Sequence, residues 1–185
     1  YYLENVLKIK AALLEKEDFP HVVLFDFWDK ATRGLIKTEI RRLSFSYDKK
    51  PMFHSYRSSL LPLSLQRILL SSKVIEFITT ILGRGIKIDK ARIYSFVQRD
   101  YTLLNDSYKE ERGTDILFEF TEEWDLASGG QTTYVDGTGE ALKLPVQPNM
   151  LAIVRRQKNM QRFVKYVNYH AGERERLFVL VRTLE

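Results

Sequence analysis

The chain has 185 residues, no cysteine, 44% hydrophobic and 29% charged side chains, and a formal net charge of +5. That length suits one domain burying ~70% of the surface its unfolded form would expose. The composition excludes disulfides, thiolate zinc sites and a cysteine nucleophile, and no stretch approaches the ~20 uninterrupted apolar residues of a membrane span. Residue 1 is Tyr, so residues are expected to be missing ahead of it. Nothing near it resembles a secretory signal, and cytoplasmic residence is the expectation.

Leu3, Val6, Leu7, Leu13 and Leu14 recur at helical spacing, which predicts an amphipathic helix over 1–16, ended before Asp18-Phe19-Pro20. His21-Val22-Val23-Leu24-Phe25 has the β-branched and aromatic content of a short strand. Ala31, Leu35, Ile36, Ile40 and Leu43 return to a helical period over 29–43, and a polar loop is expected from Ser44 to Ser59. Pro62 near its start and Gly83 just past its end punctuate a long helix to Leu82. Beyond Gly83 the pattern changes to short β-rich segments: 86–98, 101–105, 114–121, 131–136, 141–146, 150–155, 162–169 and 176–183. Helices over 1–83 followed by strands over 84–185 predict a single α+β domain, with helices buttressing an antiparallel sandwich or barrel.

Charge is uneven. Residues 1–148 carry 21 basic and 21 acidic side chains, whereas residues 149–185 carry 8 and 3. Arg155, Arg156, Lys158, Arg162, Lys165, Arg174, Arg176 and Arg182 are therefore a candidate anion-binding face, for nucleic acid or an acidic peptide. The competing expectation is a solvated surface with one or two internal arginines. Gly137-Thr138-Gly139 has no helix pattern after it, so it reads as a hairpin turn and not as a nucleotide loop. Glu122, Glu123 and Asp125 form an acidic cluster on a turn, expected to face solvent.

Several stretches, in order, resemble the prolyl-4-hydroxylase-like branch of the 2-oxoglutarate/Fe(II) oxygenases, including enzymes that hydroxylate a ribosomal proline. Residues 18–27 resemble the family's first strand, "pFphvvldnFl". Trp124-Asp125-Leu126-Ala127-Ser128-Gly129-Gly130 fits its "WDxxxGG" link. Pro148-Asn149-Met150-Leu151 resembles the "P.N.lv.F" strand, and Arg176-Leu177-Phe178-Val179-Leu180 the closing "R.si.gWf" strand. The resemblance covers roughly residues 18–185 and implies a double-stranded β-helix core, of jelly-roll or cupin type, over 84–185 with buttressing helices before it. It also implies a cofactor pair, Fe(II) and 2-oxoglutarate.

The family holds iron with two imidazoles and one carboxylate. Its His-x-Asp motif aligns with Asn105 and Ser107, with Asp106 on the intervening position, and its second His aligns with Arg162. A protonated guanidinium has no lone pair to give a metal. Neither His21 nor His54 stands in a His-x-Asp or His-x-Glu pattern, and both are expected in surface or hydrogen-bonded roles. His170 and Asp106 remain as remodelled ligands. On the co-substrate side the resemblance places Arg176 at the basic residue that holds the distal carboxylate of 2-oxoglutarate, with Tyr94 or Tyr101 supplying a phenol. An ordinary ion pair of Arg176 with Glu173 or Glu175 is the competing expectation.

Three functions follow. The first is a non-catalytic oxygenase-fold domain binding an anion, a peptide or a protein partner. The second is an active hydroxylase with remodelled ligands. The third is a basic nucleic-acid-associated domain using the C-terminal arginines, whose affinity would fall steeply with salt.

Overall fold

In the computed structural model, residues 5–15, 19–104, 111–139 and 141–185 are described. The helical part comprises α1 (Val6–Leu14), α2 (Lys30–Arg41), α3 (Leu63–Leu69) and α4 (Ser72–Leu82), interleaved with strands β1 (His21–Leu24), β2 (Ser46–Lys50) and β3 (His54–Leu60). The Asp29 side chain caps α2 by accepting from the Thr32 backbone N–H, and Gly83, at φ 69°, ends α4. The later strands are β4 (Lys87–Phe96), β5 (Tyr101–Thr102), β6 (Gly113–Glu119), β7 (Thr132–Val135), β8 (Ala141–Lys143), β9 (Met150–Arg156), β10 (Gln161–Val164) and β11 (Arg176–Leu184).

These strands form two antiparallel sheets. The larger runs β1-β9-β6-β11-β4-β3-β2, with β5 beside β3, and the smaller runs β10-β7-β8. Strand side chains alternate between faces, and here both faces are covered. Ile93, Ile116, Phe118, Leu151, Ile153, Val179 and Val181 pack outward against Ile36, Leu65, Phe77, Ile78 and Ile81 of the helices. Their neighbours Phe96, Leu117, Ala152, Val154, Phe178 and Leu180 turn inward against Tyr134 and Val164 of the smaller sheet. Burying one such side chain contributes roughly 1.5–3 kcal/mol, which is why both layers hold without staples.

Two expectations change. The polar stretch 44–59 is the β2–β3 hairpin; every residue of β2 is exposed, so its sequence carries no apolar alternation. The helix expected over 62–82 is two helices, broken at Leu70 and Ser71, where Ser71 is extended at ψ 156°. The bend lets Leu65 and Leu69 share one core with Val74, Phe77 and Ile81.

The motif stretches have local physical reasons. Gly129 and Gly130 have φ 75° and 74°, and a Cβ on Gly129 would stand 2.1 Å from the Tyr166 carbonyl oxygen. The Trp124 indole N–H donates to the Gly129 carbonyl at 2.9 Å. Asn149, at φ 60°, accepts from the Trp28 N–H and donates to the Trp28 carbonyl, both at 2.8 Å, fixing the approach to α2.

Candidate functional site: an arginine-lined cavity between the sheets

Strand parity sends Asp115 and Glu119 of β6, Arg156 of β9, and Arg176 and Arg182 of β11 to the inner face of the large sheet, where charge needs partners. Asp115 is fully buried. Arg156, from the neighbouring strand, and Arg162, from β10 across the barrel, both donate to its carboxylate. The Tyr134 hydroxyl donates to it at 2.9 Å. Burial alone would raise this carboxyl; Arg162 and Arg156 outweigh that and hold it below the usual carboxylate range.

A second buried pair lies further along β6. Arg176 donates through Nη2 to Glu119 at 2.7 Å and through Nε at 3.1 Å, and through Nη1 to the Gly130 carbonyl. Both side chains are 0% exposed. Burial pushes the Glu119 carboxyl up, and one guanidinium with the Thr121 hydroxyl does not offset it fully.

Beside these pairs the sheets enclose a cavity of about 350 Å³. Its wall is aromatic and aliphatic (Phe96, Val164, Phe178, Leu180), with Arg162, Arg182, Tyr94, Tyr56 and Thr132 as polar groups and Phe53, His54 and Leu103 at the mouth. Burial raises the Tyr94 phenol although Arg162, Arg92 and Arg182 pull it down, and burial likewise pushes the Tyr56 phenol up. His54 bonds through Nε2 to Asp48 at 2.9 Å.

The sequence-predicted residues divide as follows. Arg162 and Tyr94 line the cavity. Arg176 stands on the expected strand, but its donors meet Glu119 and Gly130, and its guanidinium lies over the Phe178 ring at 4.3 Å, outside the cavity wall. Neither Glu173 nor Glu175 is its partner in the buried pair; Glu175 meets Arg57 and Ser95. Tyr101 packs near Tyr166, with ring centroids 6.2 Å apart, and is not part of the wall. His170 sits exposed on a 3-10 turn against Tyr169. Asn105, Asp106 and Ser107 lie outside the described residues.

The basic surplus does not form one outer face, because Arg156, Arg162, Arg176 and Arg182 turn inward. Glu122 of the acidic cluster is half-exposed and meets Arg33 and Lys37. No three His, Cys, Asp or Glu side chains converge among the described residues. Among the described residues, the cavity wall offers one imidazole, His54, and no carboxylate. Those described residues do not by themselves make the set of two imidazoles and one carboxylate that the resemblance implies for ferrous iron. Sequence reasoning missed Asp115 and Glu119, although their equal parity on one strand was a signal that both share a face.

The chain has the double-stranded β-helix fold of the 2-oxoglutarate/Fe(II) oxygenases. It superimposes on a 2OG-Fe(II) oxygenase-family oxidoreductase from Burkholderia pseudomallei with a TM-score of 0.75 at 12% identity, covering 97% of this chain and 90% of that one. A Trichoplax adhaerens prolyl hydroxylase, solved with a hypoxia inducible factor peptide fragment, gives 0.75 at 12% identity, covering 98% and 91%. HygX from Streptomyces hygroscopicus, solved with nickel, 2-oxoglutarate and hygromycin B, gives 0.66 at 10% identity, covering 94% and 86%. In sequence, 81 residues are 36% identical to mouse prolyl 3-hydroxylase OGFOD1, covering 42% of this chain and 15% of that protein. The chain thus matches a small part of that relative's length. No family model matches. Among the described residues no helix is long and apolar enough to cross a membrane.

Proposed function

We propose that this domain is a non-catalytic oxygenase-fold module, a pseudo-oxygenase that binds a peptide or protein partner. One observation carries the reading: at two of the positions where the resemblance places cofactor contacts, Arg162 and Arg176, the chain pairs the residue with a carboxylate of its own. Arg162, aligned with the family's second imidazole, pairs with Asp115. Arg176, aligned with the residue for the co-substrate carboxylate, pairs with Glu119. A buried guanidinium already bonded to an internal carboxylate gains little from a second one and must break the first bond to take it. Peptide recognition has support from the Trichoplax neighbour, which holds a peptide fragment in the same fold. The nucleic-acid reading loses support because four of the six C-terminal arginines, Arg156, Arg162, Arg176 and Arg182, turn inward.

The test is anaerobic reconstitution with Fe(II) and 2-oxoglutarate, desalting, metal analysis, and then succinate measurement in air. Iron well below one per chain and no succinate above the protein-free rate are expected. One iron per chain with steady succinate formation would instead establish an active hydroxylase with remodelled ligands.

A further inference from the structure

The outer face of the large sheet carries a second recess, between α2 and the strands β3 and β11. It has a volume of about 370 Å³ and shares no lining residue with the cavity between the sheets. Strand parity explains the separation: Tyr56 and Phe178 turn inward, so their neighbours Arg57 and Leu177 turn outward.

The floor of the recess is apolar. Ile40 and Phe120 are buried in it, while Leu43, Phe45 and Leu177 are only partly covered. Its rim is charged, with Lys37 and Arg41 of α2, Arg57 of β3, Glu122 and Glu175. Glu122 is bracketed by Arg33 and Lys37, and Glu175 accepts from Arg57 and Ser95. Arg41 is exposed and enters no ion pair among the described residues. Arg57 gives Glu175 one bond from Nη2 at 3.1 Å, and its side chain is 37% exposed, so its fork has donors to offer a second acceptor.

The rim continues along the helix. Lys30, Arg33, Lys37 and Arg41 recur every three or four residues and share one side of α2. From Lys30 to Arg41 this stripe runs about 16 Å at the helical rise, well beyond the reach of one compact ligand. Gly34 lies beside it with open space where a side chain would stand, which lets another backbone come close. A cationic stripe leading to an apolar recess complements a chain segment that carries acids around one large apolar side chain. A phosphate backbone fits less well, because the floor is apolar and two carboxylates stand in the rim.

We infer that this recess docks a partner protein through such a segment, its Phe, Leu or Met side chain against Leu43, Phe45 and Leu177 and its carboxylates against Arg41, Arg57 and the α2 stripe. The inference rests on the partner-binding reading and names the surface and the chemistry of that contact. It sets the contact on the outside of the barrel, independent of what the cavity holds.

The experiment is an NMR titration of the intact chain, labelled at its leucine methyl groups, with a peptide blocked at both ends that carries one central Phe between paired acidic residues. Leu43 and Leu177 resonances should move in a saturable way, while Leu103 at the cavity mouth and the exposed Leu126 stay. Replacing the peptide's Phe by Ser should weaken binding about tenfold, as expected for losing one buried apolar side chain. Raising salt from about 50 to about 300 mM should weaken it several-fold. Arg41→Glu, at an exposed position that the fold tolerates, should weaken the acidic peptide about tenfold and favour a peptide with lysines in place of the acids. Lys158→Glu, the same charge change outside the recess, should leave both peptides as they were. No saturation, movement at Leu103 in place of Leu43, equal binding of the Phe and Ser peptides, or displacement of the peptide by a lower concentration of oligouridylate overturns the inference. The non-catalytic reading stands or falls on iron content and succinate formation, so the two fail separately.

Discussion

Arg162 of the small sheet donates to Asp115 of the large sheet, so an ion pair spans the barrel where the resemblance places a metal-ligating imidazole. The carboxylate is shared with Arg156, and its removal leaves two inward guanidiniums without it. Asp115→Asn should therefore cost about 3–5 kcal/mol, the usual penalty for breaking a buried pair from one side. Arg162→Met should cost less, because Arg156 and Tyr134 still hold Asp115. Chemical denaturation of the two variants checks the order; equal losses would mean that Arg162 carries the carboxylate alone.

Stability should depend on pH through this same group. The folded Asp115 carboxyl titrates below its unfolded value of about 3.9, so its contribution is present above that pH and is lost as pH falls through the folded value. The stability gap between wild type and Asp115→Asn should thus be widest near neutrality and close below about pH 4. Glu119, raised in the fold, acts oppositely: its contribution is present below the unfolded value and is lost as pH rises through the folded one. Denaturation midpoints of wild type, Asp115→Asn and Glu119→Gln across pH 3–8 check both signs.

The Arg176–Glu119 pair gives a different expectation when both members go. Arg176→Met alone strands a buried carboxylate and should cost about 3–5 kcal/mol, whereas Arg176→Met with Glu119→Leu should recover most of that loss. A double-mutant cycle by urea denaturation measures the difference. Additive losses would show that the pair is not coupled as its geometry requires.

At the glycine link, Gly129→Ala combines a left-handed φ with a Cβ placed 2.1 Å from a backbone oxygen. The Tyr166 carbonyl belongs to the backbone and cannot rotate away as a side-chain tip would. A loss of about 2–3 kcal/mol or more is expected from strain of this kind, read as a lower urea midpoint. Gly137→Ala, with nothing within 4 Å of the added carbon and an ordinary φ, should be close to neutral.

Much of the architecture was legible in the sequence because each core strand carries a β-rich run bounded by turn residues, and the strands from β4 to β11 fall where those runs do. The β2–β3 hairpin was not, since Ser46–Lys50 is solvent-facing and offers no alternation to read. The break at Leu70 and Ser71 was hidden because apolar spacing continues across it. For the site, placing Arg176 on the closing strand was a local reading, and the structure puts it there. Its partner Glu119 lies 57 residues away, and Asp115 reaches Arg162 across 47, so those pairings depend on sheet order, which no local pattern encodes. Four inward arginines also explain why a basic tail made a poor guide to surface charge.

The most direct measurement is a crystal structure of this chain soaked with Mn(II) and 2-oxoglutarate. The account predicts that Arg162 stays on Asp115 and Arg176 on Glu119, with no metal density between the sheets. Density for a cation held by side chains of this chain, with either ion pair opened to admit the co-substrate, would contradict it.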